Sequence, residues 1–164
     1  MSHAIAILNT YASALNLIAP SVSGWSLIRP EHKPQLLGPA ALATVLSTSQ
    51  ETGGSLIVPS WVMVDVLSRS RSDGQSSALK NTTLTLTLTL GIRDIRDGID
   101  QDPLGHLIQR LIDDVESAIY GAQWPRSHDA ESRPQVGEIP ITPRGELSYD
   151  TAAMTITHNY LTEA

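Results

Sequence analysis

Thr82-Thr83-Leu84-Thr85-Leu86-Thr87-Leu88-Thr89-Leu90 decides the fold. From Thr83 onward threonine and leucine alternate without a break. A β-strand sends successive side chains to opposite faces, so the leucines share one face. Thr83, Thr85, Thr87 and Thr89 share the other. Threonine is β-branched and suits a half-exposed pleated surface. The segment reads as a central strand with one face buried and its register set by the pattern.

Upstream, Leu56 to Arg69 reads as its antiparallel partner, with Trp61 and Met63 alternating against Val62, Val64 and Val66. Pro59 implies a bulge, an edge or a late start. The serine-rich stretch 68–80 reads as an exposed hairpin loop. Before it, Ala41 to Ser47 reads as a first strand and Gly53-Gly54 as a turn. The chain opens with a helix over 3–18, capped by Ser2, with Ile5, Leu8, Ala12, Leu15 and Ile18 as its apolar stripe and Pro20 as its stop. A Pro- and Gly-rich connection, 19–39, follows.

Downstream, Leu104, Leu107, Ile108, Leu111, Ile112, Val115, Ala118 and Ile119 make one helical stripe. Asp102 is a natural cap, Pro103 fits the first turn and Gly121 the stop. A second long connection, 122–148, holds a short strand within Val136 to Ile141. Tyr149 to Leu161 closes the chain as a strand with Met154, Ile156, His158 and Tyr160 on one face. The expected architecture is a single α+β domain over 1–164: an antiparallel sheet of about four strands with two helices packed on one face. The threonine face is then left for solvent or a neighbour.

Composition narrows the function. Lysine and arginine total 11 against 17 acidic residues, a net charge of −6, and the basic residues are scattered singly. Such a chain offers phosphates no basic stripe. With no cysteine, disulfides, thiolate catalysis and zinc–cysteine sites are all absent. Its apolar runs reach about ten residues, short of the roughly twenty that span a bilayer. Met1-Ser2-His3 carries no lysine or arginine, so no secretory leader is expected.

No catalytic set emerges. The histidines at 3, 32, 106, 128 and 158 show no metal-ligand spacing, and His106 reads as a partly buried structural group. Asp113, Asp114 and Glu116 point in different directions around a helix, so they make a solvated acidic face rather than an ion site. Asp94, Asp97, Asp100 and Asp102 faintly resemble a calcium loop, but the glycine lies at 98 and no glutamate closes the loop at the expected place. No Gly-x-Ser-x-Gly elbow and no phosphate loop are present. The expectation is a protein that is not an enzyme and holds no cofactor or metal.

The layout of an N-terminal amphipathic helix, a Pro-rich link, a strand, a hairpin ending in the Leu/Thr strand, and a long helix resembles the tail terminator proteins of long-tailed bacteriophages. So does the closing strand, Thr151-Ala152-Ala153-Met154-Thr155-Ile156-Thr157-His158-Asn159-Tyr160. The resemblance covers most of the chain and rests on layout rather than on a diagnostic motif. It implies a structural virion protein, assembled in the host cytoplasm, that forms a ring, typically a hexamer. Such a ring caps the tail tube, stops its polymerisation and joins it to the head-side connector or stopper. The partners expected are further copies of the chain, the tail-tube protein and the connector, with no membrane and with DNA passing through without specific binding. Thr83, Thr85, Thr87 and Thr89 are then the candidate assembly surface. Asp113, Asp114 and Glu116 are the candidate lumen-facing carboxylates, since like charges repel DNA. Alternatives are a different neck protein, such as a stopper or tail-completion protein, or a small cytoplasmic α+β ligand-binding domain with a concave polar pocket.

Overall fold

The Leu/Thr alternation becomes strand β3, Leu79–Ile92, paired antiparallel from Lys80 to Ile92 with β2, Ser60–Asp73. In the computed structural model, residues 2–18, 35–40, 43, 60–73, 79–92, 105–143 and 149–163 are described. Strand β8, Asp150–Glu163, flanks β3 on its other side, also antiparallel. Each of these strands has 14 residues, and at about 3.3 Å per residue the ribbon is about 45 Å long. Leu84, Leu86, Leu88 and Leu90 are buried while Thr83, Thr85, Thr87 and Thr89 are half-buried, the alternation the pattern predicts.

The sheet is larger than four strands. Six strands lie in it, in the order β1 (Gln35–Leu37), β2, β3, β8 and β6 (Gln135–Val136), with β7 (Ile141–Thr142) also on β8. Strand β1, Gln35–Leu37, lies inside the segment expected to be pure connection and pairs parallel to β2. The sheet is therefore mostly, not wholly, antiparallel. A parallel neighbour needs a crossover, and residues 38–59 supply it. Pro39, Ala40 and Ala43 in that crossover are helical, which corrects the strand expected from Ala41 at the one position described. Gly53-Gly54, His32, the aspartates at 94, 97, 100 and 102, and the cap at Asp102 lie outside the described residues.

The hairpin is longer than its loop-like composition suggests. Ser68 to Asp73, Leu79 and Lys80 are strand, because each finds a ladder partner on the facing strand. The connection 122–148 also carries structure. Strands β4, Arg126–Ser127, and β5, Ala130–Glu131, form a miniature hairpin. His128 and Asp129 at its tip both have positive φ, as a two-residue primed turn requires. Strands β6, Gln135–Val136, and β7, Ile141–Thr142, replace the single short strand expected there.

Helix α1 spans His3–Asn16, and Ser2 caps it by accepting the Ile5 amide at 3.2 Å. Its buried face is Ile7, Tyr11 and Leu15, with Ile18 beyond, whereas Ile5 is 49% exposed. The expected stripe was thus turned: this helix is apolar nearly all round, and Tyr11 decides its orientation through a buried hydrogen bond described below. Helix α2, His106–Gly121, follows Gly105, whose φ of +69° favours glycine, and buries Leu107, Ile108, Leu111, Ile112, Val115 and Ile119 as the stripe predicts. It contacts β3 and β8, while α1 contacts α2 and β1. One core cluster unites these helix residues with the β3 leucines, Met154 and Ile156. The fold is α+β, with helices α1 and α2 among the described residues and a mostly antiparallel sheet.

Candidate functional site

Ladder registration assembles the threonines into a surface. Residues paired across a sheet share a face, so the rows read Ser70–Thr83–Asn159, Ser68–Thr85–Thr157 and Asp65–Thr87–Thr155 from β2 through β3 to β8. These rows hold nine hydroxyls, amides and carboxyls, and only Asp65 is charged. At one position the side chains lock together: the Thr83 hydroxyl donates to Asn159 Oδ1 at 2.7 Å. All four threonines assigned to assembly are brought together here.

The far end of the same face is closed. Trp61 and Gly91 are cross-strand partners, and Trp61 is buried against Tyr149, ring centroids 6.1 Å apart. A Cβ added at Gly91 would lie 2.2 Å from Trp61 Cε2, so only glycine lets the indole lie flat on the sheet. The Trp61 Nε1 and the Ser60 hydroxyl are buried without a hydrogen-bond partner.

A β-bulge between Val66 and Ser68 sets which side chains join the hydroxyl face. Before it, even-numbered residues of β2 oppose the leucines. After it, Arg69 pairs with Leu84 and Arg71 with Thr82, while Ser68 and Ser70 pair with Thr85 and Thr83. Without the extra residue, the two arginines would stand among the threonines. The bulge thus keeps both arginines off that face.

The edges of the sheet differ. The outer edge of β8 is covered where β6 and β7 pair with it, and the Ser127 hydroxyl donates to Leu161 O at 2.5 Å. On β2, β1 pairs only with Trp61 to Met63. Among the described residues nothing pairs with the outer edge from Val64 to Asp73. Val66 and Leu67 are 47% and 59% exposed there. The Leu/Thr strand itself has no free edge, since β2 and β8 flank β3 on both sides.

The acidic residues of α2 do not converge: Asp113 is exposed while Asp114 and Glu116 are half-buried. Among the described residues no group of His, Cys, Asp or Glu could hold a metal ion. Between α1 and α2 runs an open groove of about 610 Å³ lined by small side chains, among them Thr10, Ser13, Ala14, Ser117 and Ala118. No titratable group lines it, so it offers no acid or base. Leu17, on its lip, is 82% exposed.

One polar cluster escaped sequence reasoning. The Tyr11 hydroxyl lies 2.5 Å from His158 Nε2, and His158 Nδ1 lies 2.8 Å from Ser132 O. A carbonyl only accepts, so Nδ1 carries the proton and Nε2 accepts from tyrosine. His3 Nε2 meets the Ser132 hydroxyl at 2.6 Å. Trp124 stands edge-on to Tyr11 and donates its indole N–H to Ile119 O. Burial pushes the His158 pKa below the ordinary histidine value, against the Ser132 hydrogen bond, and His3 adds to the depression. Burial likewise raises the Tyr11 pKa. Tyr11 and His158 are 1% and 0% exposed, so the pair faces no solvent-filled site and its role is to join α1, the 122–148 segment and β8. The available signal was His158 sitting in an otherwise apolar row of alternate residues.

No protein-family model matches the chain, and no curated protein is significantly similar to it in sequence. Among the described residues no helix is long and apolar enough to cross a membrane.

Proposed function

We propose that this chain is a non-catalytic structural subunit of a bacteriophage neck, a tail terminator that assembles as a ring, six-fold as in the family it resembles. The observation that carries the reading is the three-strand ribbon with two unlike faces. One face is leucine and is read as receiving both helices. The other is a half-buried, nearly uncharged hydroxyl surface, and among the described residues nothing pairs with the outer edge of β2 beyond Met63. A large flat polar face without a catalytic constellation suits contact with neighbouring protein layers better than it suits chemistry. The threonine rows are read as facing such a neighbour, the tail-tube protein or the head-side connector.

The ring is tested by light scattering on the purified chain, whose subunit mass is 17.7 kDa. A multiple of that mass supports the proposal, and a monomer at every concentration counts against it. Its place is tested by gold labelling of virions: label at the head–tail junction supports a neck protein, and label elsewhere on the particle, or none, overturns it. Within the neck, the terminator reading predicts that omitting the chain yields tails of uncontrolled length. Tails of normal length that fail to join heads would favour a stopper instead.

A further inference from the structure

Two surfaces that nothing covers among the described residues carry opposite halves of one contact. On the outer edge of β2, Val66 and Leu67 are exposed, and Arg69 and Arg71 follow at once. Neither arginine forms an ion pair among the described residues. Between α1 and α2 the groove of about 610 Å³ has a floor of small residues, with the exposed Leu17 on its lip. Small side chains there let another backbone approach closely. Asp113 stands one helical turn from the groove residue Ser117 and on the same side of α2, and it is exposed.

The spacings agree. Arg69 lies two residues from Leu67, about 7 Å along an extended chain. Asp113 lies four residues from Ser117, about 6 Å along a helix. An apolar pair lodged in the groove would bring Arg69 over the carboxylate of α2, with Arg71 two residues further along the strand. Acidic residues outnumber lysine and arginine 17 to 11 in this chain, so a copy of it readily supplies the anionic side.

We infer that the β2 edge of one copy of this chain, Val66-Leu67 with Arg69 and Arg71, docks into the α1–α2 groove of a second copy beside its Asp113. Edge and groove are different surfaces, so the contact is head-to-tail and repeats until rotation closes it, which is how a ring forms. This rests on the ring reading above and names its subunit contact. It also takes Asp113 out of the lumen and places it between subunits.

The chain has no cysteine, which makes a cross-link clean. A double variant, Leu67→Cys with Ser117→Cys, oxidised in dilute solution, should give a ladder of covalent multimers that collapses on reduction. Each single variant should stay uncross-linked. Dimers from Leu67→Cys alone would mean edge-to-edge pairing of two β2 strands and would overturn the proposal. So would the absence of a ladder from the double variant. Independently, Arg69→Glu with Arg71→Glu should weaken association at least tenfold by analytical ultracentrifugation, with an unchanged circular dichroism spectrum. Adding Asp113→Arg to that variant should restore association. Wild-type association by the arginine variant, or no restoration by the triple variant, overturns the contact. Rings from the wild-type chain with no ladder from the double cysteine variant leave the ring standing and remove only this contact; a wild-type chain monomeric at all concentrations removes both.

Discussion

At the scale of single residues, the buried Tyr11–His158–Ser132 chain of hydrogen bonds is the most exacting feature of the core. Tyr11→Phe keeps the ring but leaves His158 Nε2 without its donor. An unpaired buried acceptor costs about 1–3 kcal/mol, so the urea midpoint should fall accordingly. The histidine also sets a pH response. Its folded pKa lies below the ordinary value of 6.5, so below pH 6.5 the unfolded chain binds a proton that the folded chain refuses. Stability is then full above pH 6.5 and declines as pH falls from there towards the folded pKa, by up to about 1.4 kcal/mol per pH unit. Urea titrations at pH 7.5 and pH 5.5 should show the decline, and His158→Gln should flatten it. An equal decline in the variant would assign the response to other groups. Gly91→Ala tests a different constraint. The new methyl would overlap the Trp61 indole, so the variant should lose about 2 kcal/mol or more and shift its tryptophan emission.

At the scale of elements, the Leu/Thr strand makes a two-sided prediction. Leu86 and Leu88 are 0% exposed, and Leu86→Asp should unfold the chain because it buries an unpaired charge. Thr85→Asp should leave it folded, since Thr85 faces Ser68 and Thr157 on a half-buried surface. Thr87→Asp falls between the two, because it stands directly opposite Asp65 and meets like charge. Thermal melts should rank them in that order, and equal loss for both threonine variants would remove the role assigned to Asp65. Much at this scale was legible in the sequence: β3, the buried rows of β8 and the stripe of α2 follow from periods of two and of 3.6 residues. Orientation of α1 was not, because apolar residues occur around most of its circumference and a distant histidine selects the buried side. Strand β1 was not, because three residues carry no period. The strand beyond Ser68 was not, because its serines and arginines resemble a loop until a facing strand supplies hydrogen bonds.

At the scale of the whole molecule, the proposed head-to-tail ring would tie stability to concentration. Partners that bind only the folded chain stabilise it by mass action. The melting temperature of the wild-type chain should therefore rise with protein concentration, and that of Arg69→Glu with Arg71→Glu should not. A concentration-independent melt in the wild type would contradict the assembly. The candidate surface was half legible for a related reason. Thr83, Thr85, Thr87 and Thr89 share a face by local geometry alone, whereas the serines that extend it depend on the bulge after Val66, and the groove depends on how two helices distant in sequence meet.

The sequence by itself determined the alternation of faces in β3, the buried stripe of α2 and the absence of cysteine chemistry, because each is a property of local periodicity or composition. Only the tertiary structure decided which edge stays open, where the arginines of β2 stand and what Tyr11 meets. Those depend on register and on contacts between residues more than a hundred positions apart, and no local pattern encodes them.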